Sequence, residues 1–450
     1  INIYNIIVSN FKVLLANQKI SMKFVLQHKK LIGTYTNRRL SNNKIAVGMS
    51  GGIDSSVTAY LLKKQGFDII GVFMKNWDSS DEKGETVCSN DQHRKDAKEV
   101  CKTLDIPFHE VDFTREYWNQ VFIPFLETYQ TGVQTPNPDV FCNRAVKFNV
   151  FKKFINERFG VEKIATGHYC RVLEDNEGKV QLLKAKDAKK DQTYFLSMTK
   201  GTDLKNVIFP LGEYTKQEVR TIASNSPLSG LSVTKKKESM GICFIGKRAI
   251  PEFLSEYIPL TPGNFIDLES GQVLGPHLGL ECYTSGQGAK IGGVSEKYYV
   301  AFRKKLPIKP PINCGNLNIS KSFLQPSSDI YVVKGKNHPA LFSHGLTLEK
   351  SGFNWITELC TAEVLKVTRK RENSIINKIL ERRYKSNTVK PWEEFTIDGE
   401  IQGLLSLECK VRHGMGFMKC FIEVLKNETE NEIVNILFSS PLEAVNPGQI

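Results

Sequence analysis

Short apolar runs alternate with stretches of helical periodicity between residues 44 and 166. The pattern predicts strands at 45–49, 68–74, 106–111 and 163–166, and helices at 55–65, 91–104 and 146–159. Such alternation is typical of an α/β fold with a parallel sheet, in which ligands bind beyond the carboxyl ends of the strands. The loops that follow the predicted strands are therefore the first places to look for function.

The pattern changes after residue 250, where Pro and Gly separate shorter apolar runs. It predicts a central β-rich domain with a linker, 250–320, and a C-terminal β-barrel, 321–450, after an α/β domain, 44–249. Strands at 330–333 and 420–425 are assigned to the barrel. Residues 369–385 are predicted to form an inserted basic helix, with Ile375, Ile376, Ile379 and Leu380 on one face.

Cysteine and hydropathy patterns exclude several classes of protein. The ten cysteines are irregularly spaced and no pair has C-x-x-C spacing, which argues against a disulfide scaffold, a zinc ribbon and an iron–sulfur site. No run approaches the ~18 apolar residues that a membrane-spanning helix needs. We therefore expect reduced thiols, no zinc or iron–sulfur cluster, no metal bound by the protein, and no membrane.

The formal charge of +13 favours a polyanionic partner. Residues 1–43 contain seven Lys and Arg and no Asp or Glu. This composition predicts a mitochondrial transit peptide; the alternatives are a disordered basic tail or, if Met22 is the initiator, sequence upstream of the protein.

The most distinctive loop, Gly48-Met49-Ser50-Gly51-Gly52-Ile53-Asp54-Ser55-Ser56, joins the first predicted strand to the first predicted helix. Glycines let the backbone approach a ligand closely, a helix start presents unpaired amides, and the three serines are expected to add hydroxyl donors. The spacing matches neither a dinucleotide fingerprint nor a Walker loop. It resembles the pyrophosphate loop (PP-loop) of the ATP pyrophosphatase family, whose members use ATP to adenylate a carbonyl oxygen.

Two cysteines lie in segments shaped by Pro or Gly. Cys142 follows Pro136-Asn137-Pro138-Asp139, and Cys243 lies between Gly241 and Gly246. Each alone would more often be a small buried apolar residue. In exposed loops near lysines, however, both would be reactive thiolates suited to carrying sulfur.

With these segments, the chain resembles the mitochondrial branch of the tRNA-specific 2-thiouridylase family from residue 44 to 356, and more weakly near Cys409. Further matching motifs are Gly71-Val72-Phe73-Met74-Lys75-Asn76-Trp77, Ala165-Thr166-Gly167-His168-Tyr169, Lys190-Asp191-Gln192-Thr193, Phe209-Pro210-Leu211-Gly212 and Ile291-Gly292-Gly293.

The resemblance implies a role for each matched residue. Cys243 would carry a persulfide and Cys142 would be the second thiol, while Asp139 would act as an acid or base or simply hydrogen-bond the base. The ATP phosphates would be held by Gly48, Met49, Ser50, Gly51, Gly52, Ile53, Asp54 and Ser55, the nucleoside by Met74 and Gly167, the target uracil by Asn137, Pro138 and Asp139, and the tRNA by Lys190, Asp191 and Gln192.

The resemblance also implies an activity: ATP-dependent 2-thiolation of the wobble uridine of mitochondrial tRNA in the matrix. The expected small molecule is ATP with Mg²⁺, and the expected partners are tRNA and a persulfide donor derived from a cysteine desulfurase. A monomer is expected.

Three departures from the family pattern stand out. Gly288 occupies a position where relatives place Arg, the segment from Cys409 to Gly414 is short, and the barrel is expected to be truncated after Ile450. Three other functions stay open. They are an ATP-dependent synthetase acting on a metabolite, a non-catalytic tRNA-binding protein, and a metal module built from Cys88, His93 and Cys101, for which the spacing is poor.

Overall fold

The structure is a computed structural model that describes residues 43–77, 89–132, 134–175, 178–236, 244–245, 248–303, 328–349, 354, 368–370, 374–385, 400–426 and 432–445. Three five-stranded sheets follow one another along the described part of the chain.

The first sheet is parallel throughout and has the strand order β3-β2-β1-β4-β7. Its strands match the four predicted ones to within about two residues and add a fifth at the edge. The bounds are β1 (Lys44–Met49), β2 (Asp68–Lys75), β3 (Phe108–Asp112), β4 (Lys163–Ala165) and β7 (Val207–Ile208). Between β4 and β7 the chain forms a separate hairpin of β5 (Arg171–Glu174) and β6 (Val180–Leu183).

Helices cover both faces of this sheet. Ile45 and Val47 of β1 pack in one apolar cluster, whereas Ala46 between them packs in another on the opposite face. The helices are α1 (Ile53–Lys64), α2 (Ser89–Thr103), α3 (Thr114–Tyr117), α4 (Ile123–Gln130), α5 (Pro138–Cys142), α6 (Phe151–Phe159), α7 (Gly201–Leu204), α8 (Lys216–Ser224), α9 (Ser232–Lys235) and α10 (Ile250–Tyr257). The predicted doubly covered α/β domain is therefore confirmed.

Two π-helical segments join short helices into longer ones. Trp118–Phe122 connects α3 to α4, and Asn143–Val150 connects α5 to α6. The predicted helix at 146–159 is thus helical, but it continues without a break from α5, so that Cys142 lies within a helical run.

The second sheet has the order β10-β11-β12-β8-β9. It contains β8 (Gly263–Asp267), β9 (Val273–His277), β10 (Gly288–Ala289), β11 (Tyr298–Arg303) and β12 (Ile330–Lys334). The assignment of strand 330–333 to the C-terminal module is wrong. Ile330 and Val332 are fully buried against Phe265 and Val300 of this sheet, and strand alternation alone cannot tell which sheet a strand completes.

The third sheet has the order β13-β17-β16-β14, with β15 also paired to β16. Its strands are β13 (Phe342–Glu349), β14 (Thr368–Lys370), β15 (Leu405–Cys409), β16 (Met418–Lys426) and β17 (Glu432–Glu443). The strand predicted at 420–425 is confirmed as the middle of β16.

The inserted helix is shorter than predicted, because Arg369 and Lys370 belong to β14 and the helix is α11 (Ile375–Lys385). The buried carboxylate of Glu423 accepts hydrogen bonds from the amides of Ile375 and Ile376, which fixes where the helix begins. Ile376 is buried against the third sheet with Ile379 and Leu380 beside it, so three of the four residues of the predicted apolar face are confirmed, whereas Ile375 is not part of this cluster.

Gly71 offers a test of the packing between the first sheet and α2. A Cβ atom at Gly71 would lie 2.4 Å from the Sγ atom of Cys101. We expect Gly71→Ala to lower the free energy of unfolding by about 1–3 kcal/mol through overpacking, measured by thermal and urea denaturation. Adding Cys101→Ala should restore most of the loss, because it removes the clashing sulfur. An undiminished loss in the double variant would contradict this packing.

Candidate active site

The glycine-rich loop leaves the start of α1 open to a ligand. Gly52 is the N-cap residue, with extended backbone angles of −108° and 166°, and no described side chain caps it. The amides of the first helical turn have no acceptor within the helix, and the helix dipole places partial positive charge at the same point. This geometry suits a phosphate group.

Glycine is required at two close contacts around this loop. Gly51 has φ +70°, and a Cβ atom there would lie 2.2 Å from the carbonyl oxygen of His93 on α2. A Cβ atom at Gly167, just after β4, would lie 2.8 Å from the backbone nitrogen of Ser55. The loop is therefore held between α2 and the end of β4 by contacts that leave no room for a side chain.

The three serines of the loop differ in role, which corrects the expectation that all three are phosphate donors. The hydroxyl of Ser56 is buried and donates to the Gly52 carbonyl at 2.8 Å, so it serves the helix start. Ser55 Oγ accepts from the Ser50 amide at 3.1 Å and lies 3.1 Å from Ser50 Oγ. Ser50 is exposed, which leaves its hydroxyl as the one best placed to meet a ligand.

Met74 and Gly167, predicted to contact the nucleoside, lie beside the loop. A Cβ atom at Gly48 would be 3.3 Å from the methyl group of Met74, at the end of β2. Gly167 follows β4, the other neighbour of β1 in the sheet. The sheet thus brings both predicted residues to the edge where the loop begins, as the parallel fold requires.

Asp54, in the first turn of α1, is held by two side chains from distant parts of the sequence. Its carboxylate accepts from the Lys216 ammonium at 2.7 and 2.8 Å and from the Tyr169 hydroxyl at 2.8 Å. Lys216 is the first residue of α8 and is buried. The pair therefore ties α8 to the phosphate loop.

A second carboxylate, which is buried, supports the loop from α2. Asp96 is paired with Lys236 and accepts from the hydroxyl of Ser232 at 2.8 Å. Burial alone would raise the pKa of Asp96, but these bonds and one from Gln92 hold it below its usual value. The Lys236 ammonium also lies 3.4 Å from the carbonyl oxygen of Gly51.

Cys142 lies at the end of α5 and is only 5% exposed. The prediction that it lies in an exposed loop is therefore wrong. Pro138 at the first helical position and the Asn137 side chain, which accepts from the Asp139 amide at 3.1 Å, start a helix that turns the thiol inward. Asp139 itself is exposed, whereas Cys243 lies outside the described residues.

The segment predicted to contact the tRNA, Lys190-Asp191-Gln192, is held by hydrogen bonds within the protein. Asp191 is 3% exposed and accepts from the Ala185 amide at 2.8 Å and the Thr193 hydroxyl at 2.5 Å. Gln192 Oε1 accepts from the Tyr169 amide at 2.9 Å. The Asp191 carboxylate therefore bonds groups of the protein itself, whereas Lys190 is partly exposed to solvent. Gln192 connects the segment to Tyr169.

The loop after β15 closes on this segment. The buried Lys410 ammonium lies 3.9 Å from the Asp191 carboxylate, and the rings of His413 and Phe195 are 4.6 Å apart. Burial and the positive charge of Lys410 lower the pKa of His413, whereas the negative charges of Asp191 and, more weakly, Asp139 raise it. The loop after β15 therefore contributes side chains that contact Asp191 and Phe195, although the sequence left the contacts of the segment from Cys409 to Gly414 open.

The proposed metal module gains no support from the described residues. They contain no group of three or more His, Cys, Asp and Glu side chains able to hold a metal ion. Burial raises the pKa of Cys101 to about 12, which disfavours the thiolate that a metal needs, and Cys88 lies outside the described residues.

None of the described helices has both the length and the apolar character needed to cross a membrane.

Sequence reasoning missed Lys216, Asp96 and Lys236. Lys216 is 162 residues from Asp54, and no local pattern marks it. Tyr169 was inside a matched motif but had no predicted role. Only the pairing in the folded chain identifies these four residues as supports of the loop.

Three family models match the chain in order: a tRNA methyl transferase HUP domain at 43–247, a tRNA methyl transferase PRC-barrel domain at 251–306 and an aminomethyltransferase β-barrel domain at 388–450. The tRNA-specific 2-thiouridylase MnmA of Halalkalibacterium halodurans is 45% identical over 337 residues, covering 74% of this chain and 82% of the relative. The relative of the same name from Staphylococcus saprophyticus is 36% identical over 410 residues, 91% of each chain. The Homo sapiens mitochondrial tRNA-specific 2-thiouridylase 1 is 42% identical over 336 residues, covering 70% and 73%.

The close contact at Gly51 generates a binding prediction. We expect Gly51→Ala to abolish detectable ATP binding by calorimetry, because the new methyl group would force the loop away from His93 and strain the backbone. The matched control is Gly66→Ala. Gly66 also has positive φ, at +84°, but nothing lies within 4 Å of its Cβ position. Equal ATP affinity of the two variants would contradict the role assigned to the contact.

Proposed function

The chain belongs to the tRNA-specific 2-thiouridylase family and is a tRNA sulfurtransferase, and from this premise we propose that it thiolates the wobble uridine of mitochondrial tRNAs at C2. The proposed reaction adenylates the uracil O2 atom with ATP and then replaces that oxygen with sulfur from a cysteine persulfide.

One set of contacts supports the chemistry most directly: hydrogen bonds connect the glycine-rich loop at the start of α1 to the helical run that carries Cys142. The connection is physical. Asn143, next to Cys142, donates to the Phe195 carbonyl at 3.0 Å, and the segment before Phe195 is bonded to Tyr169, whose hydroxyl holds Asp54 of the loop.

In the proposed first step, ATP is bound by its phosphates at the start of α1, with the nucleoside near Met74 and Gly167. A carbonyl such as C2 of uracil is a poor electrophile, because its oxygen is a poor leaving group. Attack of O2 on the α-phosphorus releases pyrophosphate and makes that oxygen part of AMP. Donors from the loop stabilise the negative charge that develops on the departing pyrophosphate.

In the proposed second step, sulfur arrives as the terminal atom of a persulfide on Cys243. Either this sulfur attacks C2 while Cys142 then takes up Cys243, or Cys142 first attacks the Cys243 sulfur and releases sulfide, which attacks C2. Both routes expel AMP, form the C2–sulfur bond and leave a Cys142–Cys243 disulfide. A cellular thiol reductant then supplies the two electrons that reopen it.

Three segments are proposed to position the tRNA. Asn137, Pro138 and Asp139 would contact the uracil, Asp139 as an acid or base or as a hydrogen-bond partner. Lys190 would contact the tRNA backbone, with Asp191 and Gln192 holding it in place. The wobble base lies in a single-stranded loop, so moving it into a pocket costs only about a few kcal/mol.

The chain is also proposed to need a metal ion and a sulfur donor. Mg²⁺ would enter as its ATP complex, where it would neutralise phosphate charge. The Ser50 hydroxyl and the amides of the first turn of α1 fit the phosphates of this complex. The Asp54 carboxylate is already paired with Lys216. The persulfide would come from a donor derived from a cysteine desulfurase. The chain is proposed to act as a monomer.

The test of the proposed function is nucleoside mass spectrometry of mitochondrial tRNA from cells that depend on this chain. We expect Cys243→Ser and Cys142→Ser each to abolish 2-thiouridine at the wobble position, because each removes a sulfur atom that the transfer needs. Cys282→Ser is the matched control, since Cys282 is a half-buried free cysteine in the short 3-10 helix Leu280–Cys282, between β9 and β10.

Undiminished 2-thiouridine in the Cys243→Ser variant would contradict the persulfide assignment. A methylated uridine in place of a thiolated one would instead support the activity named in the family models. ATP turnover with a metabolite and without tRNA would favour a synthetase.

Mitochondrial localisation is proposed from the basic, acid-free composition of residues 1–43. We expect residues 22–43 fused to a fluorescent reporter to direct it to mitochondria. Replacing the five Lys and Arg of this segment by Gln is the control and should leave the reporter in the cytosol. A cytosolic signal from the unmodified fusion would contradict the proposal.

A further inference from the structure

Lys216 stands out among the buried charges because it meets the phosphate loop without having any role in the proposed chemistry. Its side chain is 11% exposed, and its ammonium bonds both oxygens of Asp54. Asp54 is 33% exposed and lies in the first turn of α1, where the phosphates of ATP are proposed to bind. A negative side chain at that place would repel the ligand unless its charge were cancelled.

The helix that carries Lys216 is fixed at this position by several contacts. Thr215 and Glu218 form a capping box, with hydrogen bonds of 3.2 and 2.6 Å, at the start of α8. The Lys216 amide donates to Asp187 Oδ2 at 2.9 Å. The ammonium also lies 5.6 Å from the centre of the Tyr169 ring, a distance typical of a cation–π contact.

We propose that Lys216 is a positioning residue of the ATP site, which cancels the charge of Asp54 and holds its carboxylate aside from the pyrophosphate. The inference rests on the proposed ATP-dependent function but concerns a residue with no assigned part in it. It also explains why an acidic residue can occupy a phosphate loop. Asp54 stabilises the helix start, and Lys216 removes the repulsion that Asp54 would otherwise exert on the nucleotide.

The proposal makes a distinctive prediction for pairs of substitutions in this chain. Lys216→Met should weaken ATP binding by about tenfold to a hundredfold, because it leaves the Asp54 charge uncompensated. In the Asp54→Asn background the same substitution should cost little, since no charge remains to cancel. Lys216→Arg should retain most of the affinity. ATP affinity is measured by calorimetry without tRNA, together with KM and kcat for ATP in tRNA-dependent pyrophosphate release.

Lys186→Met is the matched control. Lys186 pairs with Glu218 of the same helix at 2.8 Å, but both side chains are about half exposed, so the variant removes an equivalent ion pair away from the loop. We expect its ATP affinity to equal that of the unmodified chain. For Lys216→Met we expect a rise in KM for ATP that exceeds the fall in kcat, because the substitution weakens ATP binding but removes no group that takes part in the reaction.

Other outcomes overturn the proposal. An equal loss from Lys216→Met in both backgrounds would mean that Lys216 contacts phosphate directly. A lower melting temperature with unchanged ATP affinity would mean that the pair serves only to join α8 to α1. Loss of binding in Asp54→Asn alone would mean that the carboxylate itself is needed, for instance by the metal ion. If the unmodified chain binds ATP in the predicted Lys216-dependent way but thiolates no tRNA, the proposed function fails while this inference stands.

Discussion

The close approach of backbone to backbone at the phosphate loop is the constraint on which the site depends. The loop between β1 and α1 passes within contact distance of α2 at Gly51 and of the chain after β4 at Gly167. Each contact excludes a side chain, and together they hold the start of α1 open toward the carboxyl edge of the sheet. A helix start fixed in this way presents its amides to phosphate without further reorganisation.

Charge pairing then connects this loop to the rest of the site. Asp54 is bonded to Tyr169 and Lys216, Tyr169 is bonded to Gln192, and the neighbouring Asp191 meets Lys410 from the third sheet. Hydrogen bonds and one ion pair therefore connect the phosphate loop, the proposed tRNA segment and the C-terminal module. In this chain, His413 of the loop after β15 packs against Phe195, and the carbonyl of Phe195 accepts a hydrogen bond from Asn143, next to Cys142.

The sequence predicted the first sheet well because its strands are continuous apolar runs and its loop has a distinctive composition. It placed Met74 and Gly167 correctly at the edge, since parallel strands bring their carboxyl ends together. It failed where the outcome depends on distant partners. Strand alternation could not show that Ile330 completes the second sheet, and a Pro-rich segment before Cys142 suggested a loop although Pro138 and the Asn137 cap start a helix. Lys216 gave no local signal, because its function is defined by a partner 162 residues away.

If ATP activates the uracil oxygen of tRNA, as we propose, that oxygen must leave the base as part of AMP. Purified chain is supplied with ATP, a persulfide donor and tRNA that carries heavy oxygen at O2 of the wobble uridine, and the AMP produced is analysed by mass spectrometry. We expect AMP to acquire the heavy oxygen in an amount equal to the 2-thiouridine formed. AMP without the label, or label retained in the tRNA while ATP is consumed, would contradict it.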